Sequence, residues 1–150
     1  MPFNERAAGA VVYLAKEEPL YLLLHNKFGW DFPHGLVRPN ETEEEAALRE
    51  IYEETRLKVE RVPGFAERVI VVFSRRGKTI YKEITFYLAE ALSQEVKLSR
   101  EHDKYAWLPY GEALIALSRD EVRRVLVKAN NVVARLAAER RRAGQVGGKG

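Results

Sequence analysis

Residues 35–57 read GLVRPNETEEEAALREIYEETRL, and most of what the chain can be is decided there. Thr42 followed by Glu45 is a capping box, in which the hydroxyl and the carboxylate satisfy amides at a helix N-terminus. A helix is therefore predicted from Thr42 to about Thr55. At ~100° per residue, with Glu50 as origin, Glu53 falls at about −60° and Glu54 at about +40°, so the three carboxylates share one face. Ala46, at about −40° one turn earlier, leaves room for ions beside them. Ala47, Ile51 and Thr55 lie at about 60°, 100° and 140°, with Leu48 just beyond, and form the stripe expected to pack on a sheet. Arg49, at about −100°, can reach a carboxylate with its planar fork of donors and fix it for coordination or catalysis. Like charges at this spacing repel. Magnesium, a hard ion preferring oxygen ligands, would remove that cost.

The flanking sequence limits the alternatives. A chain of 150 residues, 46% hydrophobic, supports one core. A single domain is expected over residues 1–139, with 140–150 a basic, glycine-rich tail expected to be disordered. Apolar runs are too short for a membrane span, and the first residues lack the features of a secretory signal, so a cytoplasmic protein is expected. Without cysteine there are no disulfides, thiolate sites or thiol nucleophiles, and any metal must rest on oxygen or imidazole. The net charge of +3 hides a segregation: Glu41 to Glu54 holds seven glutamates against the single Arg49, a local −6, leaving +9 elsewhere. An acidic patch in a basic chain suits divalent cations beside a polyanionic substrate; a solvated acidic helix face is the plain alternative.

Strands are predicted at Ala7–Ala15, Leu20–His25, Lys58–Val62, Glu67–Arg75, Thr79–Glu90 and Lys104–Leu108, with a hairpin around Arg76-Gly77-Lys78. Phe28–Asn40, with two glycines and two prolines, reads as loop. Pro109 opens a short helix to Leu117. Ser118 to Glu121 is a second capping box, and Val122, Val125, Leu126, Ala129, Val132, Val133 and Leu136 recur at helical spacing behind it. The pattern predicts an α+β fold, helices packed on a mixed sheet.

Gly35, five residues, Glu41, seven residues, then Arg49-Glu50-Ile51-Tyr52-Glu53-Glu54-Thr55-Arg56-Leu57 resembles the Nudix box, meeting six of its seven polar or glycine positions. Arg56 stands where the family usually has glycine, which puts the turn at the helix end in question. The resemblance implies a Nudix α/β/α sandwich and metal-dependent hydrolysis of a phosphoanhydride, with magnesium or manganese. It implies Glu50, Glu53 and Glu54 as metal ligands, the His34 backbone carbonyl as another, and Glu41 and Gly35 as supports of the site. Glu53, Glu54 and Arg49 would carry catalysis.

Trp30-Asp31-Phe32-Pro33-His34-Gly35, Gly64-Phe65, Lys82 to Glu90 and Glu101 to Leu108 resemble the diadenosine tetraphosphate hydrolases within that family. That resemblance implies cleavage of diadenosine tetraphosphate to ATP and AMP and a role for Glu101 as metal ligand or base. The subgroup usually has lysine at the position of His34, so Arg38 and Lys82 are read with it as phosphate contacts, and Tyr81, Tyr87 and Tyr105 as candidates to clamp a base, Tyr105 first. Alternatives are another Nudix activity, on ADP-ribose, a nucleoside triphosphate or an RNA 5′ end held by Arg140-Arg141-Arg142 and Lys149, or a non-catalytic nucleotide- or RNA-binding module. Oligomeric state is not legible.

Overall fold

Why the chain folds as two helical layers around one sheet is visible in the alternation of its first strand. In the computed structural model, which describes residues 4–147, β1 (Glu5–Leu14) is buried on both faces. Ala7, Val11 and Tyr13 join one core cluster, and Ala8, Ala10, Val12 and Leu14 enter two others. A strand buried at every position from Ala7 to Leu14 must be covered on both sides.

The remaining strands are β2 (Leu20–Asn26), β3 (Gly29–Asp31), β4 (His34–Leu36), β5 (Val59–Arg61), β6 (Glu67–Arg75), β7 (Lys78–Ala91) and β8 (Lys104–Pro109). The central path of this eight-stranded sheet is β3-β2-β1-β7-β5, with β8 on β2, β4 on β1 and β6 on β7. Among the described strands only β1 and β7 pair in parallel, in register from Glu5 beside Lys82 to Tyr13 beside Glu90. Helix α1 (Glu43–Thr55) covers one face, with Ile51 set among Ala10, Val12, Leu22 and Leu24. Helices α2 (Tyr110–Ala116) and α3 (Asp120–Gly147) cover the other, where Val122, Val125, Leu126, Ala129 and Val133 meet Tyr21, Leu23, Phe86 and Leu88. Full burial of a side chain such as Ile51 is worth about 1.5–3 kcal/mol. Among the described residues no helix is long and apolar enough to cross a membrane.

Helix α1 begins where the capping box sets it. The Glu45 amide donates to Thr42 Oγ1 at 3.1 Å and the Thr42 amide to Glu45 Oε1 at 2.9 Å. Two details of its faces differ from expectation. Leu48 is 39% exposed, whereas Glu54 is buried at 3%. The buried arc is centred nearer Ala47, only about 20° from Glu54 by helical geometry, so the carboxylate is carried into the interface and Leu48 out of it.

The helix ends at Arg56, which takes the left-handed conformation (φ 62°, ψ 12°) and donates its amide to the Tyr52 carbonyl at 2.8 Å. Arginine thus accepts the strain that glycine would avoid, partly offset by the guanidinium lying 5.1 Å from the Tyr52 ring centroid. Arg56→Gly is expected to stabilise the fold by about 1 kcal/mol, read as a higher denaturation midpoint at unchanged slope. A lower midpoint would mean that the stacking outweighs the strain.

Three other expectations are corrected. Phe28–Asn40 is not loop throughout: β3 pairs with β2 and β4 with β1, each only three residues long. Helix α3 does not stop before Arg140 but runs to Gly147, so residues 140–147 are helical, and Arg140 pairs with Glu90. Ala137, Ala138, Arg140 to Arg142 and Ala143 are good helix formers despite their charge. Lys149 lies outside the described residues. The second capping box does not form as read, because the Ser118 hydroxyl accepts the Trp30 amide at 3.1 Å and α3 starts two residues later.

Candidate active site

Two glycines bring the segment before α1 beneath the helix. On β1, a Cβ at Gly9 would stand 2.1 Å from the Pro33 carbonyl oxygen and 2.4 Å from His34 Cβ, so glycine is what lets β4 lie against the sheet. Gly35 then pairs with Ala8, on the face that α1 covers. A Cβ at Gly35 would meet the Glu50 carboxylate at 2.2–2.5 Å, so the space above this glycine is already filled by Glu50.

Arg49 gathers the acidic residues. Its Nε and Nη2 donate to the two oxygens of Glu41 at 2.6 and 2.8 Å, a paired geometry that only a guanidinium supplies. Nη1 donates to Glu50 at 2.8 Å and Glu53 at 3.1 Å, and Nη2 also reaches the Leu36 carbonyl at 3.0 Å. Glu41 in turn accepts the Arg38 amide at 2.9 Å, and these donors, Arg49 foremost, hold its carboxyl down to about 2. The carboxylates raise the Arg49 guanidinium further above its already high value. Arg38 places its own guanidinium 3.4 Å from Glu53.

Glu54 stands in a different environment. It is buried, its Oε2 finds no hydrogen-bond partner, and it adjoins Glu50 and Glu101. Burial first, then the charges of Glu50 and Glu101, push its carboxyl up to about 9. A bond with the His34 backbone opposes this. Among the described residues no three carboxylate or imidazole groups are already gathered into an ion cage, because Glu50 and Glu53 are turned toward Arg49.

The loop before β8 adds charge near this end of the helix: the field of Glu101 reaches Glu54, and His102 lies within the field of Glu101, His34 and Asp31. Burial lowers the His102 pKa, and its buried Nδ1 has no partner. Asp103 ties this loop to β2, accepting from His25 Nδ1 at 2.7 Å while its amide donates to the His25 carbonyl at 3.0 Å.

Not every residue singled out in the sequence lies on the acidic face. The His34 ring, paired in register with Gly9, points to the α3 side, donates Nδ1–H to the Phe32 carbonyl at 2.9 Å and meets the Phe86 ring edge-on. Lys82, two residues before Ile84 on β7, shares that side. Burial lowers its pKa, against the pull of Glu5 and Asp31. Tyr87 is packed beneath α1 against Ala46 and Ala47. Tyr81 and Tyr105 are open, at 42% and 40% exposure; Tyr105 sits opposite Leu24 on the α1 face, and the Tyr81 amide is held by Asn4. The sequence reading left His102 and Asp31 without a role. Only their placement singles them out, since neither belongs to a spaced motif.

The NUDIX domain model matches residues 3–129. The chain belongs to the Nudix family and has its hydrolase fold. The asymmetrical bis(5′-nucleosyl)-tetraphosphatase of Sus scrofa is 30% identical over 148 residues, covering 89% of this chain and 98% of the relative. An RNA pyrophosphohydrolase of Photorhabdus laumondii is 25% identical over 144 residues, covering 83% and 82%. Among solved structures, a binary complex of the C. elegans Ap4A hydrolase superposes with a TM-score of 0.75 at 28% identity, covering 87% of this chain and 98% of that one.

Proposed function

We propose that the chain hydrolyses diadenosine tetraphosphate asymmetrically, water and substrate yielding ATP and AMP, with a divalent cation, magnesium or manganese, held at the acidic helix. The observation that carries the site is Glu54, a buried carboxylate with an unpartnered oxygen in the field of Glu50 and Glu101. Such a group is costly unless it meets a proton or a cation. The cradle above Gly35 fits the same group, since it keeps the Glu50 carboxylate at the strand. The donor set is all oxygen, suited to a hard ion: Glu50, Glu53, Glu54, Glu101 and the His34 carbonyl. The choice of substrate is supported by the tetraphosphatase relatives, which cover most of the chain.

When bound, the ion lowers the pKa of a coordinated water and screens the phosphate charge. The protein's part is positional and electrostatic. Arg49, anchored on Glu41, holds Glu50 and Glu53 in fixed orientations. Glu101, on a separate loop whose charge reaches Glu54, either joins the ion's ligands or takes the proton of the attacking water. Arg38 approaches the phosphates from the Glu53 side, whereas the His34 ring and Lys82 lie on the α3 side of the sheet, away from the acidic helix. Tyr105 stacks on the base, with Tyr81 as the other open ring and Tyr87, partly buried beneath α1, as the third candidate.

A second reading, removal of pyrophosphate from an RNA 5′ end, is favoured by the RNA pyrophosphohydrolase relatives and by exposed Arg141 and Arg142 on the last turns of α3. A panel of nucleotides and 5′-triphosphorylated RNA, with products separated by chromatography, decides between them. Equal ATP and AMP from diadenosine tetraphosphate at the highest kcat/KM supports the proposal. Preferred turnover of RNA, ADP-ribose or a nucleoside triphosphate overturns it.

A further inference from the structure

The outer edge of β6 is unpaired. The strand bonds along its whole length to β7, from Glu67 beside Phe86 to Arg75 beside Lys78, and among the described residues no strand lies on its other side. An open row of backbone donors and acceptors is a template for another strand, and folded proteins usually blunt such an edge with proline, a bulge or a central lysine. β6 has none of these: its register is continuous, and its charges, Glu67, Arg68 and Arg75, stand only at the ends.

The side chains of β6 alternate. Val69, Val71 and Phe73 turn to the α3 core, whereas Ile70 and Val72, on the other face, are 48% and 52% exposed. Tyr81, opposite Val72, is open too, because the helix that covers Tyr87 stops short of it. An apolar strip therefore runs up to the free edge and ends there.

The sequence of the strand is complementary to its own reverse. Opposed residues in a sheet point to the same side, so two identical strands pair antiparallel about a residue position and never between two. About Val71, all nine residues overlap: Ile70 meets Val72 of the second copy, Val69 meets Phe73, and Glu67 meets Arg75 at both ends. About Ile70, Arg68 would instead face Val72 and Glu67 would face Phe73; about Val72, Arg68 would face Arg76. Only the first register sets apolar against apolar and acid against base. Within one chain Glu67 meets Lys128 at 3.2 Å and Arg75 meets Glu5 at 2.8 Å, and carboxylate and guanidinium each have capacity for a second partner.

We infer that two copies of this chain associate through β6, antiparallel about Val71, joining their sheets into one. Each copy offers one such edge, so the pairing closes at two. The inference is independent of the proposed substrate.

Sedimentation velocity over a range of concentrations tests it. One strand pair makes a small interface, so a monomer–dimer equilibrium is expected, with a dissociation constant on the order of 10–100 μM. Glu67→Arg and Arg75→Glu are each expected to weaken it about tenfold, since two exposed pairs turn from attraction to repulsion. Mixed in equal amounts, the two variants are expected to associate as the unaltered chain does, because each supplies the charge that the other lacks. Ile70→Lys combined with Val72→Lys, both on the exposed face, is expected to leave monomer alone. A monomer at every concentration overturns the inference and leaves the edge to an extended segment of some other protein. So does a dimer that survives the paired lysines, or a mixture of the folded charge variants that fails to regain affinity. If either charge variant fails to fold by circular dichroism, the paired lysines decide.

Discussion

Glu54→Gln is expected to lower turnover about a hundredfold to a thousandfold while stabilising the ion-free fold at alkaline pH. The loss follows from removing a charged oxygen from the proposed ion site, where charge stabilisation supplies several kcal/mol and each ~1.4 kcal/mol is tenfold in rate. The gain follows from burial. In the folded chain the Glu54 carboxyl titrates near 9 rather than at its ordinary 4.5. Below the lower value both folded and unfolded chains are protonated and the contribution is fully present. As pH rises toward 9 the unfolded chain has released a proton that the folded chain retains, so stability falls, by up to ~1.4 kcal/mol per pH unit. Glutamine is neutral throughout. Melting in chelator at pH 5 and pH 8.5 is expected to show a drop for the unaltered chain that is largely absent in Glu54→Gln. Equal drops in both would place the pH dependence elsewhere.

Arg49→Lys is expected to reduce kcat/KM about 10–100-fold, the usual cost of losing a group that orients metal ligands, with the circular dichroism spectrum unchanged. One guanidinium serves both oxygens of Glu41, one oxygen each of Glu50 and Glu53, and the Leu36 carbonyl. An ammonium keeps the charge but has no planar fork, so it cannot hold Glu41 on two oxygens while still reaching Glu50 and Glu53. The carboxylates then keep their chemistry and lose their orientation. The defect is expected to include a higher magnesium concentration for half-maximal activity. A variant with unchanged ion dependence would make Arg49 a surface ion pair.

Helix α1 was legible because each of its signals is local. The Thr42–Glu45 box marks its start, the glutamate spacing fixes one face, and Ala47, Ile51 and Thr55 lie on the buried side. Glu54 was legible as chemistry and not as environment, since 20° of helix rotation separates a solvated carboxylate from a buried one. Strands β3 and β4 escaped because three residues are too few to display an alternation, and what stabilises β4 is Gly9, far away in sequence. Once β4 is known, the direction of the His34 ring follows: Gly35 faces α1, so its neighbour must face α3. The helical continuation past Arg140 was hidden by charge and glycine content, which were read as disorder although arginine and alanine also favour helix.

Titration of magnesium into the protein at pH 7.5, followed by calorimetry in two buffers of different ionisation enthalpy, tests the central claim most directly. The ion is expected to displace the proton that Glu54 holds at that pH, so the unaltered chain should release close to one proton per ion bound. In Glu54→Gln that release should vanish and the affinity should fall. Binding without proton release, or with equal affinity in the variant, would contradict a cation site built on the buried carboxylate of α1.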